Sequence, residues 1–179
     1  MTLASIAVFP TLLLTLAARF YPAVFSSLRR DPDALVHGEV WRLLSPVLVQ
    51  ADVLEPDGWW RALAVLVLVA AILSVAERRF GASRSLILYA LGALVGHGVG
   101  ELWQPYGAGC SVAGCGVLGG AAVWLLSARP PQVKVGAALV VAAAIAATWL
   151  EDIHGPPVLA GAVFGRWLLR SVPLPQRLS

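Results

Sequence analysis

Residues 107–120 read GAGCSVAGCGVLGG. Glycine, alanine and cysteine fill the stretch, and one hydroxyl, Ser111, stands among them. Small residues in a row let helix backbones approach closely where lipid supplies no hydrophobic push between helices. Cys110 and Cys115 lie five positions apart in the same expected helix and point in different directions. Both are therefore read as packing residues rather than as a disulfide. The serine is the odd member. Most serines in membrane helices pack or bond back to the helix carbonyls, yet this one heads its helix directly after a loop.

The rest of the chain places that stretch in a membrane. Of 179 residues, 59% are hydrophobic and 13% charged, against about 25% charged in a soluble domain. The mean hydropathy is +0.79, and the apolar residues come in long blocks rather than amphipathic stripes. This is the composition of a polytopic membrane protein. The formal charge of +3 is no nucleic-acid footprint, because the basic residues cluster in loops between apolar blocks. MTLASIAVFPTLLLTLAARF at the N-terminus lacks a basic n-region and is long enough to span, so it is read as a helix and not as a cleaved leader.

Six spanning segments are expected: 3–25 with a kink at Pro10, 59–76, 85–103, 110–126, 135–150 and 157–169. A long first loop covers 26–58, and the whole chain, 1–179, reads as a single six-helix membrane domain without internal repeats. The connections ERRFGASR, ARPPQVK and RSVPLPQRLS are short and basic, which places them in the cytoplasm by the positive-inside rule. The N-terminus then also lies inside. Of the ten acidic residues, Glu77 alone falls on that side.

On this topology Ser111 and His154 reach the same membrane depth at the outer face. Serine becomes a nucleophile when a base takes its proton, and histidine is the usual base near neutral pH. A histidine within a membrane is costly enough to be a functional candidate. Around the serine stand Gly109-Cys110-Ser111 and then Gly116 and Gly119; around the histidine, His154 and then Ala160-Gly161 and Gly165. Upstream are Trp41-Arg42, in GEVWRLLSP, and ERRFG at 77–81. These four landmarks, in this order, resemble the rhomboid family of intramembrane serine proteases.

The resemblance implies a six-helix bundle with a dyad of Ser111 as nucleophile and His154 as general base. Backbone N–H groups of Cys110 or Ser111, at the positive end of their helix, are the first candidates for oxyanion donors. Gly109, Gly116, Gly161 and Gly165 would bring the helices close at the site. It further implies that the partners are transmembrane protein substrates within the bilayer, with no cofactor and no nucleic acid. The setting would be a bacterial inner membrane with the site toward the extracytoplasmic face. The chain also departs from the family. Active members carry a histidine and an asparagine in the second helix as oxyanion donors, and counting back from Glu77 puts Arg61 and Val65 there. Val112 follows the serine where glycine is usual, and Cys115 stands in place of a tyrosine. A catalytically inactive relative that binds transmembrane clients is therefore the alternative function.

His97 and Glu101, four apart on one face of the third segment, are expected to form an interfacial hydrogen-bonded pair or to line the same outer cavity as possible auxiliary residues, along with Arg61. No spacing supplies a recognisable metal-ligand set. A transporter built on His97 and Glu101 would call for an inverted repeat, which the sequence lacks. His37 is expected to be solvated. Glu151 and Asp152, just before His154, are read as solvated loop carboxylates, with orientation of the imidazole as the other option.

Overall fold

The computed structural model describes residues 2–127 and 130–172. Ala128 and Arg129 of the ARPPQVK connection and residues 173–179 of the basic C-terminal segment lie outside the described residues. All the regular elements described are helical. They are α1 (Leu3–Phe20), α2 (Pro22–Leu28), α3 (Pro32–Val36), α4 (Trp59–Phe80), α5 (Ala82–Trp103), α6 (Ser111–Leu125), α7 (Pro131–Trp149) and α8 (Gly155–Leu168). Four of them, α1, α4, α5 and α7, are long and apolar enough to cross a membrane. α6 is also apolar but shorter, at 15 residues.

The first helix is shorter than the expected 3–25. α1 closes at Phe20 because Tyr21 precedes Pro22, whose ring disfavours helical geometry in the residue before it. Proline suits the first turn of a new helix, so α2 begins at once. Pro10 lies inside α1. At the other end, Thr2 caps α1 by accepting from the Ser5 N–H.

The loop after α1 is built rather than slack. α3 is capped by Asp31, which accepts from Ala34 N–H. Three short 3-10 turns follow, at Val40–Leu43, Ser45–Leu48 and Ala51–Leu54. Arg42, from the Trp41-Arg42 element, is buried and donates through Nη1 to the carbonyls of Ser26 and Arg29, at 2.9 Å each, and through Nε to Glu39. Ser45 donates to the Leu28 carbonyl at 2.9 Å. Two buried threonines of α1 dock the far part of the loop. Thr11 shares its hydroxyl proton between the Ala7 carbonyl, 2.9 Å away, and the Val47 carbonyl, at 3.2 Å, and Thr15 accepts from the Gln50 N–H at 3.0 Å.

Contacts at the helix ends fix the directions of the bundle. Glu77, near the end of α4, accepts from the Leu3 N–H at 2.8 Å, so the start of α1 and the end of α4 share one face. Arg84 near the start of α5 reaches Ser171 beyond α8, at 3.2 Å. α8 therefore ends on that same face. The starts of α6 and α8 lie at the opposite face, and these two helices run parallel.

Their seam is made of glycine. A Cβ added to Gly165 would stand 2.6 Å from the Cα of Gly120, and one added to Gly161 would strike the Gly116 carbonyl. α5 meets the other side of α6 in the same way, with a Gly92 Cβ only 2.8 Å from the Gly116 Cα. Around these seams Leu66, Val69 and Leu73 of α4 pack with Leu88 and Ala93 of α5 and Ala113 and Val117 of α6. The outward faces are apolar too. Val67, Leu139 and Val163 are exposed, as residues facing lipid are.

Candidate active site

Ser111 is the first residue of α6, and His154 immediately precedes α8. The parallel glycine seam sets these two helix starts side by side. The Ser111 Oγ lies 2.9 Å from His154 Nε2. Forty-three positions of sequence thus close into one hydrogen bond.

The other side of the imidazole is occupied. His154 Nδ1 is 2.7 Å from Asp152 Oδ1, and the same oxygen accepts the His154 backbone N–H at 2.8 Å. Asp152 is thereby not the merely solvated carboxylate expected. A tight turn after α7, with Glu151 in left-handed geometry at φ 57°, folds it under the ring. Glu151 itself stays exposed. With a proton on Nδ1 donated to Asp152, Nε2 is left to accept the Ser111 hydroxyl. Burial pushes the Asp152 carboxyl up, but the bonds and charge it receives from His154 outweigh this and hold it below the usual carboxylate range. The side chains of His154 and Asp152 are 45% and 50% exposed.

Cys110 caps α6 without a side-chain hydrogen bond, which leaves the N–H groups of the first turn without that partner. Gly109 is not among these free donors, since its N–H is given to the Pro46 carbonyl at 2.9 Å. Cys110 is fully buried, Cys115 half-buried, and both are free thiols. Cys115 lines an apolar cavity of about 250 Å³ with Leu118, Val140, Ala144, Val158 and His154.

The remaining candidates sit elsewhere. Arg61 turns onto Asp52, at 3.4 Å, and Glu55, at the head of α4, with no hydrogen bond to Ser111 or His154. The core-facing side of α4 near it carries Ala62, Leu66 and Val69, and Val69 packs against Gly114 of α6. This face offers no polar donor.

His97 and Glu101 do not bond to each other. His97 is wholly buried and accepts at Nδ1 from Arg30 Nη1, 3.0 Å away. Arg30 also donates to the Gln104 carbonyl through Nε and Nη2, and its backbone N–H donates to the Gly107 carbonyl. The cluster clasps the 104–109 loop that leads into Ser111. The helix-face reading failed here because the partner of His97 comes from 67 residues away. His37 is exposed, its ring against the Asp33 carbonyl.

The comparisons agree with this architecture. The Rhomboid domain family matches residues 37–169, a stretch that holds Trp41-Arg42, Ser111 and His154. A curated relative is Rhomboid-like protease 3 of Toxoplasma gondii, 33% identical over 86 residues. That match covers 47% of this chain and 30% of the relative, so the chain spans under a third of the length of the curated protein it matches. The chain belongs to the rhomboid family.

Proposed function

We propose that this chain is an intramembrane serine endopeptidase that hydrolyses peptide bonds in or near transmembrane segments. The observation that carries the reading is the 2.9 Å contact between Ser111 Oγ and His154 Nε2. Ser111 attacks the scissile carbonyl carbon while His154 takes the hydroxyl proton. The tetrahedral intermediate collapses to an acyl-serine, and His154 returns the proton to the departing amine. Water then repeats the attack with His154 again as base. Asp152 holds the imidazole in the tautomer this requires.

The surrounding bundle is read as six-spanning and as one domain, with α6 and α8 completing the four long helices. Its basic connections face the cytoplasm of a bacterial inner membrane, and Ser111 faces outward. α6 has 15 residues, a length of about 22 Å against a hydrocarbon thickness of about 30 Å. With its far end at the cytoplasmic boundary, Ser111 sits about 8 Å below the outer one. Water enters from above, and the substrates are transmembrane proteins that arrive through the bilayer.

Labelling of the detergent-solubilised protein with a fluorophosphonate tests the proposal. We expect labelling that disappears in Ser111→Ala and in His154→Ala. No labelling of a folded wild-type protein overturns it in favour of a client-binding role.

A further inference from the structure

The α4 face toward the site is apolar, but another polar side chain approaches from the first loop. Gln50 is 2% exposed. Its backbone N–H is held by Thr15, and its Nε2 points at the Cys110 Sγ, 2.9 Å away. A thiol is a weak acceptor, so a buried carboxamide stands here with a poor partner.

Gly109 defines what lies beside it. A Cβ at Gly109 would be 3.0 Å from Gln50 Oε1 and 3.6 Å from Ser111 Oγ. The missing side chain therefore leaves a small space with the carboxamide on one side and the nucleophile on the other. The terminal torsion of glutamine is roughly two-fold, so a half-turn exchanges the two ends of the amide and turns its N–H groups into that space. The amide nitrogen would then stand where Oε1 stands now, facing the space that borders Ser111 Oγ, and donors of this kind act over about 2.7–3.1 Å.

We propose that Gln50 is the side-chain oxyanion donor of this site, binding the charged oxygen of the intermediate on Ser111 in the space that Gly109 leaves open. The Ser111 backbone N–H is the second donor. This rests on the protease reading above. It also gives the chain a substitute for the second-helix donors it lacks, delivered by the loop.

The rate of fluorophosphonate inactivation tests the inference. Ser111 Oγ bonds to phosphorus, fluoride leaves, the proton passes to His154, and the phosphoryl oxygen takes the place of the oxyanion. Gln50→Met keeps the length and removes the donor. We expect kinact to fall about 10²-fold, the cost typical of one lost donor, with KI unchanged and the thermal unfolding midpoint retained. Gln50→His, which returns a ring N–H, should recover part of the loss. Gln50→Leu, which also removes the donor, decides the matter by the same readout if Gln50→Met does not fold. Wild-type kinact in folded Gln50→Met or Gln50→Leu overturns the inference and leaves the protease reading standing. Absence of Ser111-dependent labelling in the folded wild type overturns both.

Discussion

The α6–α8 seam and the first loop both serve the same site, and they do so by opposite means. The seam works by removing side chains, since Gly116, Gly120, Gly161 and Gly165 let two backbones touch and carry Ser111 to His154. The loop works by adding polar side chains. Arg42, Ser45, Thr11 and Thr15 tie its carbonyls and N–H groups down one by one. A seam of close backbones has no slack, whereas a set of separate hydrogen bonds can be weakened one member at a time. Substitutions in the first should therefore act nearly all-or-none, and those in the second should be graded.

The sharpest break is expected in the seam. Gly161→Val puts branched carbons where the Gly116 carbonyl already lies. Overpacking of a tight core costs about 1–3 kcal/mol and occasionally more. Here the obstacle is backbone, which cannot rotate aside, so the upper end or beyond is expected. Fluorophosphonate labelling should be lost together with most of the folded yield. Gly136→Val on α7 is the matched control, because a Cβ there meets nothing within 4 Å, and it should behave as wild type. Equal tolerance of both would break the comparison.

In the loop, Arg42→Lys should destabilise without abolishing the fold. One guanidinium reaches the carbonyls of Ser26 and Arg29 and also Glu39, a geometry an ammonium cannot reproduce. Hydrogen bonds from charged groups are each worth about 1.5–3 kcal/mol. A loss of about 2 kcal/mol is expected, read as a lower thermal midpoint with labelling retained at low temperature.

The two regions also differed in how far the sequence disclosed them. The seam was readable because its information is local. Glycines at helical spacing after Ser111 and after His154 announce close packing of their two helices. Topology brought Ser111 and His154 to one depth, and the family resemblance of the motifs around them suggested the pair. The loop was not readable in this way. Gln50 has no neighbour in sequence that marks it, and its place beside Gly109 depends on the whole 26–58 segment folding back onto α1. Arg30 and His97 likewise meet across 67 residues, so the spacing of His97 and Glu101 on one helix face pointed to a pair that does not form. Asp152 lay between these cases. Its nearness to His154 was plain, but its role turned on the φ 57° bend at Glu151, which no glycine announces.

Asp152 belongs to neither region and allows a finer test of the site between them. Its carboxyl lies below the usual range in the folded protein because His154 donates to the charged form. A depressed pKa in the folded state means that this contribution is present above the unfolded value, 3.8, and is lost as pH falls through the folded one. The difference in thermal midpoint between wild type and Asp152→Asn should therefore close as the medium becomes more acidic than the ordinary carboxylate range. At neutral pH the substitution should slow labelling by well under the roughly 10⁴-fold seen when a fully buried triad carboxylate is replaced, because this one is half exposed. A difference in midpoint that persists unchanged below the ordinary carboxylate range would contradict the assigned hydrogen bonds.

The mildest expected effect comes from the loop's attachment to α1. Thr15→Val keeps the shape of the side chain and removes the oxygen that accepts from the Gln50 N–H. Thr15 is buried, 1% exposed, so the freed N–H has little water to turn to. A buried donor left without a partner costs about 1–3 kcal/mol, and the low end is expected because the loop keeps its bonds from Arg42, Ser45 and Thr11. If Gln50 only fills space, Thr15→Val should lower the thermal midpoint and leave kinact unchanged in the protein that remains folded. If Gln50 is the oxyanion donor, the loosened backbone must also cost precision at the carboxamide, and kinact should fall by a few-fold while KI holds. A graded loss of rate from a substitution two contacts away from Ser111 separates a loop that takes part in the chemistry from one that only covers it.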